Sequence, residues 1–66
     1  MIYLEPRNLY DKAILKIEDV VVYDYHKLIE QIMINLDCEY HDAVDWFCYN
    51  IEGVHLEGWP RFHEDT

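Results

Sequence analysis

The sequence predicts a small α+β domain made of an N-terminal β-hairpin, an αα-hairpin and a short C-terminal strand. Three observations carry this prediction. Residues 20–23, VVVY, are a compact β-branched and aromatic run, the composition of a strand packed on at least one face. Residues 25–36 and 40–51 each carry an apolar stripe at helical spacing. The chain is also 52% hydrophobic and 15% aromatic, with two glycines and two prolines, so it has the side chains to bury a core and lacks the composition of a disordered linker. Its 66 residues make one domain, 1–66, near the lower size limit for folding without staples.

Residues 1–9 read as a loosely held lead-in: Pro6 interrupts regular pairing, and Ile2, Tyr3 and Leu4 suit at most an edge strand. The run KAILKI, 12–17, pairs with 20–23 about Glu18 and Asp19, although this turn lacks the favoured Asn-Gly chemistry and a single helical turn over 12–17 is the alternative. Asp24 is placed to cap a helix over 25–35, its carboxylate accepting from the free N–H groups of the first turn. On that helix Tyr25, Leu28, Ile29, Ile32, Met33 and Leu36 share one face, opposite His26, Lys27, Glu30 and Gln31, while Ile34 falls on the polar side without a sequence reason. The period breaks at 35–37. Asp37 or Cys38 would cap a second helix reaching Ile51, with the stripe Tyr40, Ala43, Val44, Phe47 and Ile51, and Gly53 would end it in the left-handed conformation. Val54, His55 and Leu56 read as a short strand, 58–60 as a turn with Arg61 and Phe62 extending beyond it, and 63–66 as a frayed tail. The expected core is Ile14, Ile17, Val21, Leu28, Ile32, Leu36, Val44, Phe47 and Ile51.

The net charge is −9 and unevenly spread. Residues 1–36 hold six acids and four bases, whereas residues 37–66 hold eight acids and the single base Arg61. Phosphates and anionic lipid headgroups are recognised by Lys and Arg, so direct binding to nucleic acid or to a membrane surface is not expected, and a partner protein with a basic surface fits better. Such a surface is what a nucleic-acid-binding protein presents. Acidity that only keeps an aromatic-rich domain soluble is the plainer explanation. The N-terminus MIYLEPRN has neither a basic stretch nor a useful apolar run, and no segment has the length of a membrane span, so a cytoplasmic location with reduced cysteines is expected.

The segments YDKAI (10–14), VVYDYHKLIEQIM (21–33) and DAVDWFCYNIEGVHL (42–56) together resemble a family of short uncharacterised proteins common in bacteriophages and prophages, with a YDxAI start, a VVYDYxKxIExLM middle and an AxEWxxYNxxGA end. The resemblance covers most of the chain. Asp45 stands where the family usually has Glu, and His55 where a small or aromatic residue is common. What the resemblance implies is a phage origin, with it the cytoplasm of a host cell, and a shared fold; it supplies no catalytic residue to carry over.

Several residue sets have the side chains that chemistry needs. Cys38, His41, Cys48 and His55 have the right donor types for tetrahedral zinc, in the spacing C-x2-H-x6-C-x6-H, which matches no known finger. A zinc-stabilised accessory or regulatory module is therefore the alternative reading. A Cys–His nucleophilic pair, Cys38 with His41 or Cys48 with His55, has acidic surroundings that oppose a thiolate. Serine is absent and Thr66 is the lone threonine, so no catalytic residue and no enzyme activity are expected, and no cofactor is assigned. The remaining set is a surface. On the second helix Asp42, Asp45, Trp46, Tyr49 and Glu52 lie off the apolar stripe, and aromatic residues ringed by acids suit protein recognition. The preferred reading is thus a small acidic interaction protein of the phage type that binds and modulates or inhibits a host or defence protein. A homodimer that buries Trp46 or Ile34 is kept open.

Overall fold

The computed structural model describes residues 1–64. Among these, three α-helices and a three-stranded sheet form one small domain, the α+β arrangement that the sequence predicts. In chain order the elements are α1 (Arg7–Tyr10), a 3-10 turn (Asp11–Ala13), β1 (Ile14–Ile17), β2 (Val21–Asp24), α2 (Tyr25–Leu36), α3 (Tyr40–Phe47), a π-helical turn (Cys48–Glu52) and β3 (Arg61–His63). No helix of the described residues is long and apolar enough to cross a membrane.

The sheet order is β1-β2-β3. β1 and β2 form the expected antiparallel hairpin, with Ile14 opposite Tyr23, Lys16 opposite Val22 and Ile17 opposite Val21, and an irregularity between Ile14 and Lys16. β2 occupies the centre because its apolar residues run consecutively: Val21, Val22 and Tyr23 are all buried. Its second neighbour is β3, parallel to it, with Val22 opposite Arg61 and Tyr23 opposite Phe62. The C-terminal strand therefore lies at 61–63, not at 54–56, where Val54, His55 and Leu56 are irregular. The reason is side-chain chemistry: Phe62 can enter the core between two polar neighbours, whereas Leu56 stays 59% exposed.

α2 matches its expected limits closely. Asp24 caps it by accepting the Lys27 backbone N–H at 3.1 Å. It ends at Asp37, which takes the left-handed conformation (φ 52°), and the Cys38 N–H closes back on the Met33 carbonyl at 3.2 Å. Neither Asp37 nor Cys38 caps the following helix. That position falls to Glu39, whose side chain makes no capping bond. Gly53 likewise does not end the helix in the left-handed region (φ −73°). A Cβ there would stand 3.3 Å from the Cys48 carbonyl, so glycine serves close approach; the positive φ belongs to Gly58.

The core corrects the sequence expectation at both ends of the polarity scale. Val21, Leu28, Ile32, Phe47 and Ile51 are buried as expected, and Ile14 and Val44 pack at its margin. Ile17 and Leu36 are instead 53% and 40% exposed, one at the sheet edge and the other at the last residue of α2. The core instead includes two tyrosines among its largest members. Tyr23 is fully buried with its hydroxyl accepting the Leu4 backbone N–H at 2.8 Å, and Tyr10 is buried with its hydroxyl accepting from Asn35 Nδ2 at 3.0 Å. A buried phenol needs such a partner. Tyr23 thereby ties down residues 1–9, which are not a loose lead-in: Leu4 is buried, Pro6 offers its carbonyl to α1, and the Arg7 guanidinium lies 3.8 Å from the centre of the Tyr3 ring. The expected frayed tail starts with His63 inside β3, and its last two residues, 65 and 66, lie outside the described ones.

Phe47 is the hub. Its ring meets Tyr25 edge-on at 5.2 Å and Phe62 edge-on at 5.0 Å, and Phe62 stacks on Tyr23 at 6.0 Å. Phe47→Ala should cost about 3–5 kcal/mol, enough to unfold most molecules of a domain this small, and a melting curve checks it. Burial also holds the Tyr10 and Tyr23 phenols above their ordinary titration range, the hydrogen bonds from Asn35 and Leu4 opposing it in part. The neutral phenol is the form favoured by folding, so the unfolded chain releases these protons first. Stability is whole below the unfolded tyrosine pKa of about 10 and falls as pH rises beyond it. Alkaline unfolding followed by circular dichroism should show this loss, with Tyr10→Phe shifting the midpoint to higher pH.

Candidate functional site: the acidic face of the third helix

Burial orients α3. Ala43 and Phe47, with Ile51 in the π-helical turn, point into the core at steps of four residues. That fixes the opposite side as outward. Asp42, Asp45, Tyr49 and Glu52 are exposed there, as the sequence suggests, and Tyr49 is 85% exposed. Trp46 differs: it is half-buried and packs against the core, so it supports the face at its margin and does not stand free upon it.

Beyond Phe47 the winding loosens. The Gly53 N–H reaches the Cys48 carbonyl five residues back, at 3.1 Å, and residues 48–52 form one π-helical turn, where the sequence suggests an unbroken α-helix. Side chains fasten it. Asn50 Nδ2 donates to the Trp46 carbonyl at 3.0 Å, and Trp59 Nε1 donates to the Ile51 carbonyl at 3.0 Å, a carbonyl that also accepts from Val54. Tyr49 is thus carried on a braced element although its own ring is in solvent. Periodicity misses this turn because its cause, the close packing of Gly53 and Trp59, is not local to the stripe.

Cys48 joins the face, although the sequence pattern groups it with the candidate zinc ligands. It is a free, exposed thiol raised above its ordinary pKa, first by desolvation, then by the charges of Glu52 and Asp45 and a hydrogen bond with Glu52. The Tyr25 phenol is raised as well, first by desolvation and then by the charges of Tyr40, Cys48, Glu64 and Glu52. Cys38 is also free and raised, by desolvation and then by Asp42 and Asp37. A raised pKa leaves little thiolate at neutral pH, the opposite of what a nucleophilic cysteine needs.

The zinc set does not assemble. Among the described residues, no three of Cys38, His41, Cys48 and His55 bring donor atoms together. The one group of three donors that do meet among the described residues is Glu39, His41 and Asp42, with His41 Nδ1 3.8 Å from Glu39 and His41 Nε2 3.4 Å from Asp42. All three are exposed and sit at the N-terminus of α3, whose dipole opposes a cation. Asp42 and Asp45 are separate solvated carboxylates along the helix.

Comparison with protein-family models, with curated proteins and with solved structures finds no match.

Cys48 reports on the charge of this face. Replacing Asp45 with Asn and Glu52 with Gln should raise the rate of Cys48 alkylation by iodoacetamide at pH 8, since the thiolate is no longer opposed by two carboxylates. High salt should raise the wild-type rate in the same direction. Mass mapping of the alkylated cysteine makes the measurement specific.

Proposed function

We propose that this chain is a small acidic interaction protein of the phage type, which acts in the host cytoplasm by binding a host or defence protein at a basic surface and modulating or inhibiting it. The observation that carries the reading is Tyr49: a large aromatic side chain 85% exposed on a braced helical turn, between Asp45 and Glu52, with no role in the core. Tyrosine at the centre of a charged rim supplies desolvation energy, and the rim supplies orientation and long-range attraction. The contact residues are Asp42, Asp45, Trp46, Tyr49 and Glu52. The wider charge pattern supports the same choice, since residues 37–66 hold eight acids and one base. Carboxylates displayed at helical intervals compete for the Lys and Arg side chains that hold phosphates, so a nucleic-acid-binding surface of the partner is the surface occupied. The phage and host elements of the reading rest on the sequence resemblance.

The test is affinity capture from host lysate with the wild type and with Asp45→Lys/Tyr49→Ala in parallel. Exposed substitutions of this kind change stability by about 0.5 kcal/mol or less each, so the variant should fold normally by circular dichroism. A protein retained by the wild type should be lost by the variant. With that protein purified, affinity should fall steeply as salt rises, and the chain should displace bound nucleic acid from it. Equal retention by wild type and variant would exclude this face.

A further inference from the structure

β1 is an edge strand of unusual composition. Among the described residues it has β2 on one side and no strand on the other, yet Leu15 and Ile17 are 47% and 53% exposed along it. An open edge bearing apolar side chains is a template for another strand. The direction of its free hydrogen-bonding groups can be read from the hairpin. The Glu18 N–H turns inward to the Val20 carbonyl at 3.0 Å, in step with the Lys16–Val22 pair. Alternation along a strand then turns the N–H and C=O of Ile17 outward, to the unoccupied side.

The charges select the occupant. The segment KAILKIED, 12–19, has lysines toward its start and acids at its end, and is neutral overall in a chain of net charge −9. Antiparallel pairing with an identical segment lays each basic end along the other's acidic end. A two-fold axis normal to the sheet must pair a residue with its own copy. Centring on Lys16 would place two lysines face to face, which is destabilising. Centring on Ile17 lets the two Ile17 residues exchange reciprocal N–H···O=C bonds and places Lys16 of each chain opposite Glu18 of the other. Lys16 already lies 3.3 Å from Glu18 within one chain, so the four side chains form a ring of alternating charge. This register also neutralises Lys16, the one charge inside β1 that otherwise protects the edge.

We infer that a second copy of this chain adds across the β1 edge in the Ile17-centred register, making a continuous six-stranded sheet. The acidic faces of the two α3 helices lie outside this contact, so the partner-binding surface proposed above is presented twice, and neither proposal requires the other.

Analytical ultracentrifugation over a concentration series tests it. The wild type should approach twice the 8.1 kDa of one chain. Ile17→Lys and Lys16→Glu should each weaken association at least about ten-fold while circular dichroism stays native, since both residues are exposed. Lys16→Glu combined with Glu18→Lys should restore it, because the ring of charges is rebuilt with signs exchanged. Ile34→Lys, on the outer side of α2, should leave the dimer intact. A monomer at the highest soluble concentration overturns the inference, and so does a dimer that ignores Ile17→Lys or dissociates with Ile34→Lys. Failure of the double exchange to restore association overturns the register.

Discussion

The edge-to-face seating of Phe47 between Tyr25 and Phe62 is the contact on which the two layers depend. Phe47 comes from α3, Tyr25 from the start of α2, and Phe62 from β3, and Phe62 passes the contact on to Tyr23 in the central strand. One chain of rings therefore joins four elements. In a domain of this size the aliphatic side chains alone bury little, and aromatic rings bring large area together with preferred geometry. Two consequences follow for the rest of the molecule. The seating of Phe47 sets the orientation of α3 about its axis, which decides which residues face solvent. The long connection from the π-helical turn to β3 must also end with Phe62 inward, which sets the register of the parallel pair.

That ordering explains what could be read in the sequence. α2 was legible because its signals agree: an aspartate cap, an apolar face and a break at the end all point to the same limits. The outward side of α3 was legible for the same reason, as the inward line of Ala43, Phe47 and Ile51 leaves Asp42, Asp45, Tyr49 and Glu52 on the other side. The departures share a different cause. Burial of Tyr10 and Tyr23 depends on Asn35 and on the Leu4 backbone, respectively twenty-five and nineteen residues away, and no local pattern announces a distant hydrogen-bond partner. The sequence favours 54–56 as the strand, whereas a single inward Phe62 outweighs the apolar look of that segment, for a reason that only the aromatic chain shows.

The surface divides in a comparable way. Acids accumulate where the helical layer meets solvent, and the open side of the sheet carries mixed charge: Arg61 reaches Asp19 and approaches Glu18 at 4.0 Å, and Lys16 reaches Glu18. These exposed pairs contribute little to stability. Their effect is local neutrality, which leaves the hairpin free of the repulsion that surrounds α3. A strongly charged face and a balanced edge on one small chain meet different kinds of neighbour, the first from a distance and the second only at contact.

The parallel pairing of β2 with β3 has a bearing on synthesis. Val22 waits for Arg61, about forty residues further along the chain, a long-range closure for so short a protein. While the ribosome is still delivering the helices, the hairpin exists without its third strand, Tyr23 lacks Phe62, and one side of the central strand is uncovered. Such a nascent species is exposed to mispairing with other chains. The final docking step then belongs to a segment of three residues anchored by one ring. Until Phe62 has emerged, the ring of Phe47 meets Tyr25 alone and the chain of aromatic contacts to Tyr23 stays open.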